Sequence, residues 1–179
     1  NNWQIDPRTQ IRLGIRCSYF SEEARFNVTP RASASRALNP HLRFKLGGGT
    51  YRQFLQLVTT EGFSGGDFWV PLDKSVTPGQ SWQSVAGLEW EPSRRYQFSI
   101  ETYYTDLNNL VVLDTNVSVN SRETMSEDLF ISGGRGHATG IEIFLQRRTG
   151  ALTGWIGYTL GKTQRAFPEL NGGRKFFPK

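Results

Sequence analysis

Residues 136–163 alternate between apolar and polar positions with a period of two. In the first arm Ile141, Ile143 and Leu145 fall on one side and Ala138, Gly140, Glu142 and Gln146 on the other, as a strand requires and a helix does not. After Thr149-Gly150, a second arm sets Leu152, Ile156, Tyr158 and Leu160 on one side, with small or polar residues mostly between them. The pattern predicts a hairpin with arms of roughly ten residues, about the length with which a tilted strand crosses the apolar core of a bilayer. Strands of soluble hairpins are usually about five or six residues long.

The same alternation recurs upstream. Thr9 to Phe20 places Ile11, Leu13, Ile15, Cys17 and Tyr19 opposite Arg12, Gly14, Arg16 and Ser18. Glu22 to Asn27 reads as a turn, and Thr29 to Ala37 as a weakly patterned strand rich in Ala and Ser. Asn39-Pro40 turns the chain. Leu42, Phe44 and Leu46 then oppose Arg43, Lys45 and Gly47; Trp82, Ala86, Leu88 and Trp90 oppose Gln83, Gly87, Glu89 and Glu91; and Tyr96, Phe98, Ile100, Thr102 and Tyr104 oppose Gln97, Ser99 and Glu101. Arg52 to Gln80 and Leu107 to Arg135 break the pattern and read as long loops, while Gly47-Gly48-Gly49 reads as a kink or bulge.

About seven strands result. Tight turns fall near Asn39, Pro92 and Gly150, and the long connections lie at the other ends, as in membrane barrels with short periplasmic turns and long outer loops. Trp82, Trp90, Tyr19, Tyr96, Tyr104 and Tyr158 lie near strand ends on the apolar side, where an interfacial girdle places aromatics. The fold class expected is all-β: an antiparallel up-and-down transmembrane β-barrel fragment with short periplasmic turns and long extracellular loops.

Composition adds little to this. No apolar run approaches the ~18 residues of a transmembrane helix, which does not bear on a barrel. The net charge of +5 would suit nucleic acid, but the basic residues are spread over every segment rather than gathered in a stripe, so no nucleic-acid partner is expected. The single cysteine, Cys17, sits among the apolar positions of its strand and reads as a small apolar residue. The chain starts without Met or a leader and reads as a fragment.

Several segments resemble the barrel of TonB-dependent outer-membrane receptors. They are Pro30-Arg31 with the Ala/Ser run after it, Leu42 to Gln53, Gly87 to Trp90, Glu101 to Leu110, and above all Gly136 to Glu142 followed by Gly154 to Thr159. The ending, Arg165 to Pro168 and on through Gly173 to Pro178, resembles an outer loop of such receptors. The resemblance covers nearly the whole chain and implies a barrel of about twenty-two strands closed by an internal plug. Residues 1–179 would form one partial β-barrel domain, with the plug and the remaining strands elsewhere in the full-length chain. It also implies a place in the bacterial outer membrane, in contact with its lipid, and active transport of a scarce nutrient such as a metal chelate, vitamin or glycan. The energy would come from the TonB complex through segments outside this chain. No enzymatic activity and no cofactor are implied.

In that setting Arg12, Arg16, Arg43, Lys45, Glu89, Glu101 and Glu142 would line the lumen, since charges that are costly against lipid are tolerated against water or a plug. Phe63, Phe68, Trp69, Arg135 and His137 would stand on outer loops and select ligand, because exposed aromatics and charges on loops tend to bind. His41 and His137 have no ligand-spaced partner, so no metal site is expected. Gly133 to Gly136 lacks the spacing of a dinucleotide loop. The residues alone leave open a soluble secreted β-sandwich or small-barrel ligand-binding module, in which the apolar faces meet a second sheet. They also leave open a carbohydrate-active enzyme on such a fold, using Glu89 and Glu101.

Overall fold

The computed structural model describes residues 2–21, 25–58, 68–72, 75–114 and 130–177. Ten antiparallel strands occur among them: β1 (Asn2–Asp6), β2 (Thr9–Phe20), β3 (Arg25–Asn39), β4 (Leu42–Gln53), β5 (Leu55–Val58), β6 (Phe68–Pro71), β7 (Gly79–Ser93), β8 (Tyr96–Leu113), β9 (Phe130–Arg147) and β10 (Gly154–Ala166). Eight form one up-and-down sheet in the order β1-β2-β3-β4-β7-β8-β9-β10, and β5 pairs with β6 in a separate hairpin. Among the described residues the sheet is open, with β1 and β10 at its edges.

Short turns join β1 to β2, β3 to β4, β7 to β8 and β9 to β10, all at one end. The first three are closed by local polar groups. The Arg8 amide donates to Asp6 Oδ1 at 2.7 Å, the His41 amide to Asn39 Oδ1 at 2.8 Å, and the Arg95 amide to Ser93 Oγ at 3.3 Å. These side chains satisfy turn amides that no ladder reaches, which is why Asp, Asn and Ser stand there.

The pattern-breaking stretches are shorter than expected. Within the first, β5 and β6 pair from Leu55↔Pro71 to Val58↔Phe68. In the second, β8 continues to Leu113 and β9 begins at Phe130, with Val112↔Ile131 and Leu113↔Phe130 still in register. A register shift between Asn108 and Leu110 brackets Asn109, whose φ of 53° is the left-handed geometry of a bulge, and a second lies between Leu110 and Val112. The extension carries consecutive apolar residues because both its sides find partners. Leu72, Val76 and Phe130 form a small buried core against Val70, Val111 and Leu113. Period-two reading cannot detect a strand that is apolar on both sides.

Gly47, Gly48 and Gly49 lie in β4 with unbroken pairing to both neighbours, so the expected kink is absent. Glycine is required here by close approach. A Cβ on Gly48 would stand 2.8 Å from the Gln83 carbonyl oxygen, and one on Gly49 would stand 2.8 Å from Arg31 Cγ. Beyond β10, Phe167 is buried against Gly134, and Phe176 returns to exchange both backbone hydrogen bonds with Arg165 on the outer edge of β10.

Candidate functional site

The register sorts every sheet residue onto one of two faces. One ladder row runs Ile11, Ala34, Leu46, Ala86, Thr102, Ile141 and Leu160, and the next toward the turns runs Thr9, Arg36, Phe44, Leu88, Ile100, Ile143 and Tyr158. The alternating apolar positions of the strands therefore share a face, although Val85, Phe144 and Trp155 fall on the other. No second sheet covers it among the described residues: Ile15 is 73% exposed, Leu46 50% and Ile156 71%, and the buried apolar residues lie near the long connections instead. A β-sandwich, which would bury these side chains between two sheets, is overturned by that exposure.

The apolar belt also slides along the ladder. Leu13 is mid-belt on β2, yet its row passes through Ala32, Gly48, Ser84, Tyr104 and Thr139 to Lys162, beyond the belt on β10. At the turn end Thr9 and Arg36 are past the belt on β2 and β3, whereas Ile143 and Tyr158 in the same row are within it. A level band crossing tilted strands has this offset, and barrel strands tilt typically by about 35–45°. Aromatics mark both limits. Trp82 and Tyr104 pair at 6.3 Å on the loop side, while Trp90 and Tyr96 stand by the turns, where Arg147 lies 6.0 Å over the Tyr96 ring. Tyr158 departs from this placing, being mid-belt rather than near a strand end.

The other face carries the charge. Arg12, Arg16, Arg43, Lys45, Glu89, Glu101 and Glu142 all fall on it by register, as their alternation predicts. Among these seven the positive groups are on β2 to β4 and the negative groups on β7 to β9, while Arg165 adds a positive group on β10. A polar chain crosses the divide near the turns. Lys45 pairs with Glu89; Gln97 donates to Glu89 at 3.4 Å; Arg148 donates to Gln97 and, at 2.8 Å, to Glu91. Glu101 stands directly opposite Glu142, two like charges that would separate in water. Arg31, opposite Gly14 and Gly49, belongs to this face too, with its guanidinium 4.5 Å from the Tyr51 ring. Ser33 and Ser35, two and four positions on, carried the signal that would have placed it.

Glu89 and Glu101 are diagonal neighbours on this face, opposite Ser99 and Gly87, and Glu89 is engaged by Lys45 and Gln97. Of the ligand candidates, Phe63 lies outside the described residues. Phe68 and Trp69 are on β6, with Trp69 exposed. Arg135 and His137 are within β9 rather than on a loop, opposite Asn108 and Asp106. They miss the loop because β9 starts earlier than its alternation indicates.

The profile of the family described as TonB dependent receptor-like, beta-barrel matches residues 1–177. The chain belongs to that family. No curated protein matches it. Among solved structures, the siderophore receptor PirA from Pseudomonas aeruginosa superposes with a TM-score of 0.63 at 15% identity, over 94% of this chain and 36% of that one. That likeness is one of fold. The chain spans about a third of the matched receptor's length. In membrane barrels generally, an apolar belt faces lipid and a charged face the interior.

Proposed function

We propose that this chain is part of the barrel wall of an outer-membrane receptor that imports a scarce nutrient, such as a metal chelate, a vitamin or a glycan. The observation that carries the proposal is the division of one eight-stranded sheet into a tilted, uncovered apolar belt and an inner face bearing its charges. Such a wall is stable only between lipid and a polar interior. The partners are the outer-membrane lipid on the belt, a plug domain of the same full-length chain inside, and the TonB complex, reached through segments beyond these residues.

In this reading Arg12, Arg16, Arg43, Lys45, Glu89, Glu101 and Glu142 face plug or passing ligand. Glu101 and Glu142, opposed and of like charge, are satisfied by a basic group of the plug. Trp69 stands on the outer side as a first ligand contact, and the sequence offers Phe63 and Phe68 beside it. Arg135 and His137 sit at the rim of the wall. No step of this function requires bond chemistry or a cofactor from these residues.

The test is uptake by cells carrying the full-length gene. The protein is expected in the outer-membrane fraction, migrating faster before boiling than after. Accumulation of a labelled nutrient should stop when a protonophore collapses the inner-membrane gradient. Recovery in the soluble fraction, or uptake indifferent to the protonophore, would contradict active import.

A further inference from the structure

We propose that the apolar side of the wall holds one anionic phospholipid of the periplasmic leaflet, with its phosphate on Arg147 and the start of an acyl chain in the groove over Gly154. The inference rests on the receptor reading above and goes beyond it by assigning a lipid site to particular residues.

Arg147 continues the row Ile141, Ile143 and Leu145 along β9, at the end of the sheet that carries the short turns. In membrane barrels that end faces the periplasm. Arg147 stands two residues past Leu145, about 7 Å along a strand. At the usual barrel tilt of about 35–45° this is about 5 Å of depth. The headgroup layer on each side of a bilayer is about 5–7 Å thick, so a side chain one row beyond the belt meets lipid phosphates rather than hydrocarbon.

Tyr96, Arg147 and Gly154 lie side by side across β8, β9 and β10, and the next row toward the belt is Phe98, Leu145 and Ile156. The glycine leaves a gap in this surface, since a Cβ at Gly154 would meet nothing within 4 Å. A groove of about 400 Å³ opens there, lined by Tyr96, Leu145, Arg147, Leu152, Gly154 and Ile156 among others, with no carboxylate in its lining. That volume lies within the range of small-molecule sites, roughly 300–1,000 Å³. Leu152 and Ile156 are exposed and offer apolar surface to an acyl chain.

The guanidinium of Arg147 is held in place from the protein side. It lies 6.0 Å from the Tyr96 ring centre, and the β9–β10 turn closes on it at Gly150, whose φ is 124° and where a Cβ would stand 2.8 Å from Arg147 Nη2. Arg147 Nε is buried without a hydrogen-bond partner, and the side chain has no ion pair among the described residues. A charged group so covered is costly unless an acceptor joins it. The neighbouring charges do not supply one. Arg94 and Arg95, in the β7–β8 turn, are exposed and also basic, while Glu91 is taken by Arg148. A phosphodiester bearing net negative charge complements this rim, because guanidinium forks bind phosphate oxygens in pairs.

Native mass spectrometry of the purified full-length receptor, with phosphatidylglycerol or phosphatidylcholine added, tests the site. Wild type is expected to retain one phosphatidylglycerol more tightly than phosphatidylcholine. Arg147→Gln should weaken phosphatidylglycerol binding about fivefold, roughly 1 kcal/mol. Gly154→Leu fills the groove without changing any charge and should weaken both lipids; it carries the test if the arginine variant does not fold. Arg148→Gln, which removes a charge already paired with Glu91, should leave affinity unchanged. Equal affinity of wild type for the two lipids would overturn the proposal, as would unchanged binding in Gly154→Leu. A loss in Arg148→Gln as large as in Arg147→Gln would overturn it too, by assigning the effect to net charge alone. In each of these cases the protein is still a detergent-dependent barrel. A full-length protein that stays in solution without detergent would instead overturn the receptor reading, and the lipid site with it.

Discussion

Replacing Ile143 by arginine tests the division of the two faces most sharply. Ile143 is the middle residue of the β9 belt, between Ile100 on β8 and Tyr158 on β10. An arginine facing lipid at mid-depth costs about 2–4 kcal/mol, or roughly 30- to 1,000-fold in the folding equilibrium. The neighbouring position is the control. Glu142 lies on the inner face opposite Glu101, so Glu142→Arg exchanges a like-charge pair for an opposite one, worth about 0.2–1 kcal/mol in favour of folding. The same substituent, one residue apart, is predicted to act with opposite sign. The assay is urea-dependent folding of the full-length receptor into lipid vesicles, followed by tryptophan fluorescence and gel mobility. Equal costs at both positions, or a cost below about 0.5 kcal/mol at Ile143, would refute the reasoning.

Other consequences follow from individual contacts. A Cβ on Gly140 would stand 2.6 Å from Tyr103 Oη and 2.8 Å from the Leu160 carbonyl oxygen, so Gly140→Ala should cost about 1–3 kcal/mol. Tyr103→Ala should rescue only part of that loss, because the backbone contact remains; denaturation of the double variant measures it. Lys45→Met should cost at most about 1 kcal/mol, since the Lys45 side chain is 41% exposed, and the cost should shrink in high salt. The Arg8 amide holds the Asp6 carboxyl below its ordinary pKa, with a smaller contribution from the charge of Arg36. A depressed acid stabilises the turn fully above its unfolded pKa of about 4 and ceases to do so as pH falls through the lowered value. Hydrogen exchange at Arg8 should therefore quicken in acid in wild type and be independent of pH, beyond its intrinsic rate, in Asp6→Asn.

Much of the wall was legible because membrane strands alternate strictly. Ile141, Ile143 and Leu145 could face only one way, and the register carried their side across every neighbour. The charges follow by parity, so the seven candidates share the face opposite the belt. Legibility failed where that physics does not apply. β1 is short, although Trp3 and Ile5 do alternate with Asn2, Gln4 and Asp6. In the run Leu110 to Leu113, Val111 and Leu113 are half-buried against a small core that only tertiary packing creates, so the run read as loop. Gly47 to Gly49 suggested a kink, yet they serve an approach between strands that lie far apart in sequence. Arg31 was lost among small residues because its partners are two glycines, which leave no polar pattern of their own.

The central claim is that β9 separates lipid from a polar interior residue by residue. Spin labels placed singly at positions 139 to 146 of the full-length receptor in bilayers, with Cys17 replaced by serine, test it directly. Labels at 141, 143 and 145 are predicted to be relaxed by dissolved oxygen and shielded from a polar nickel complex, while labels at 140, 142, 144 and 146 show less contact with oxygen. Equal accessibility of both sets, or ready access of the nickel complex to 141, 143 and 145, would contradict the account.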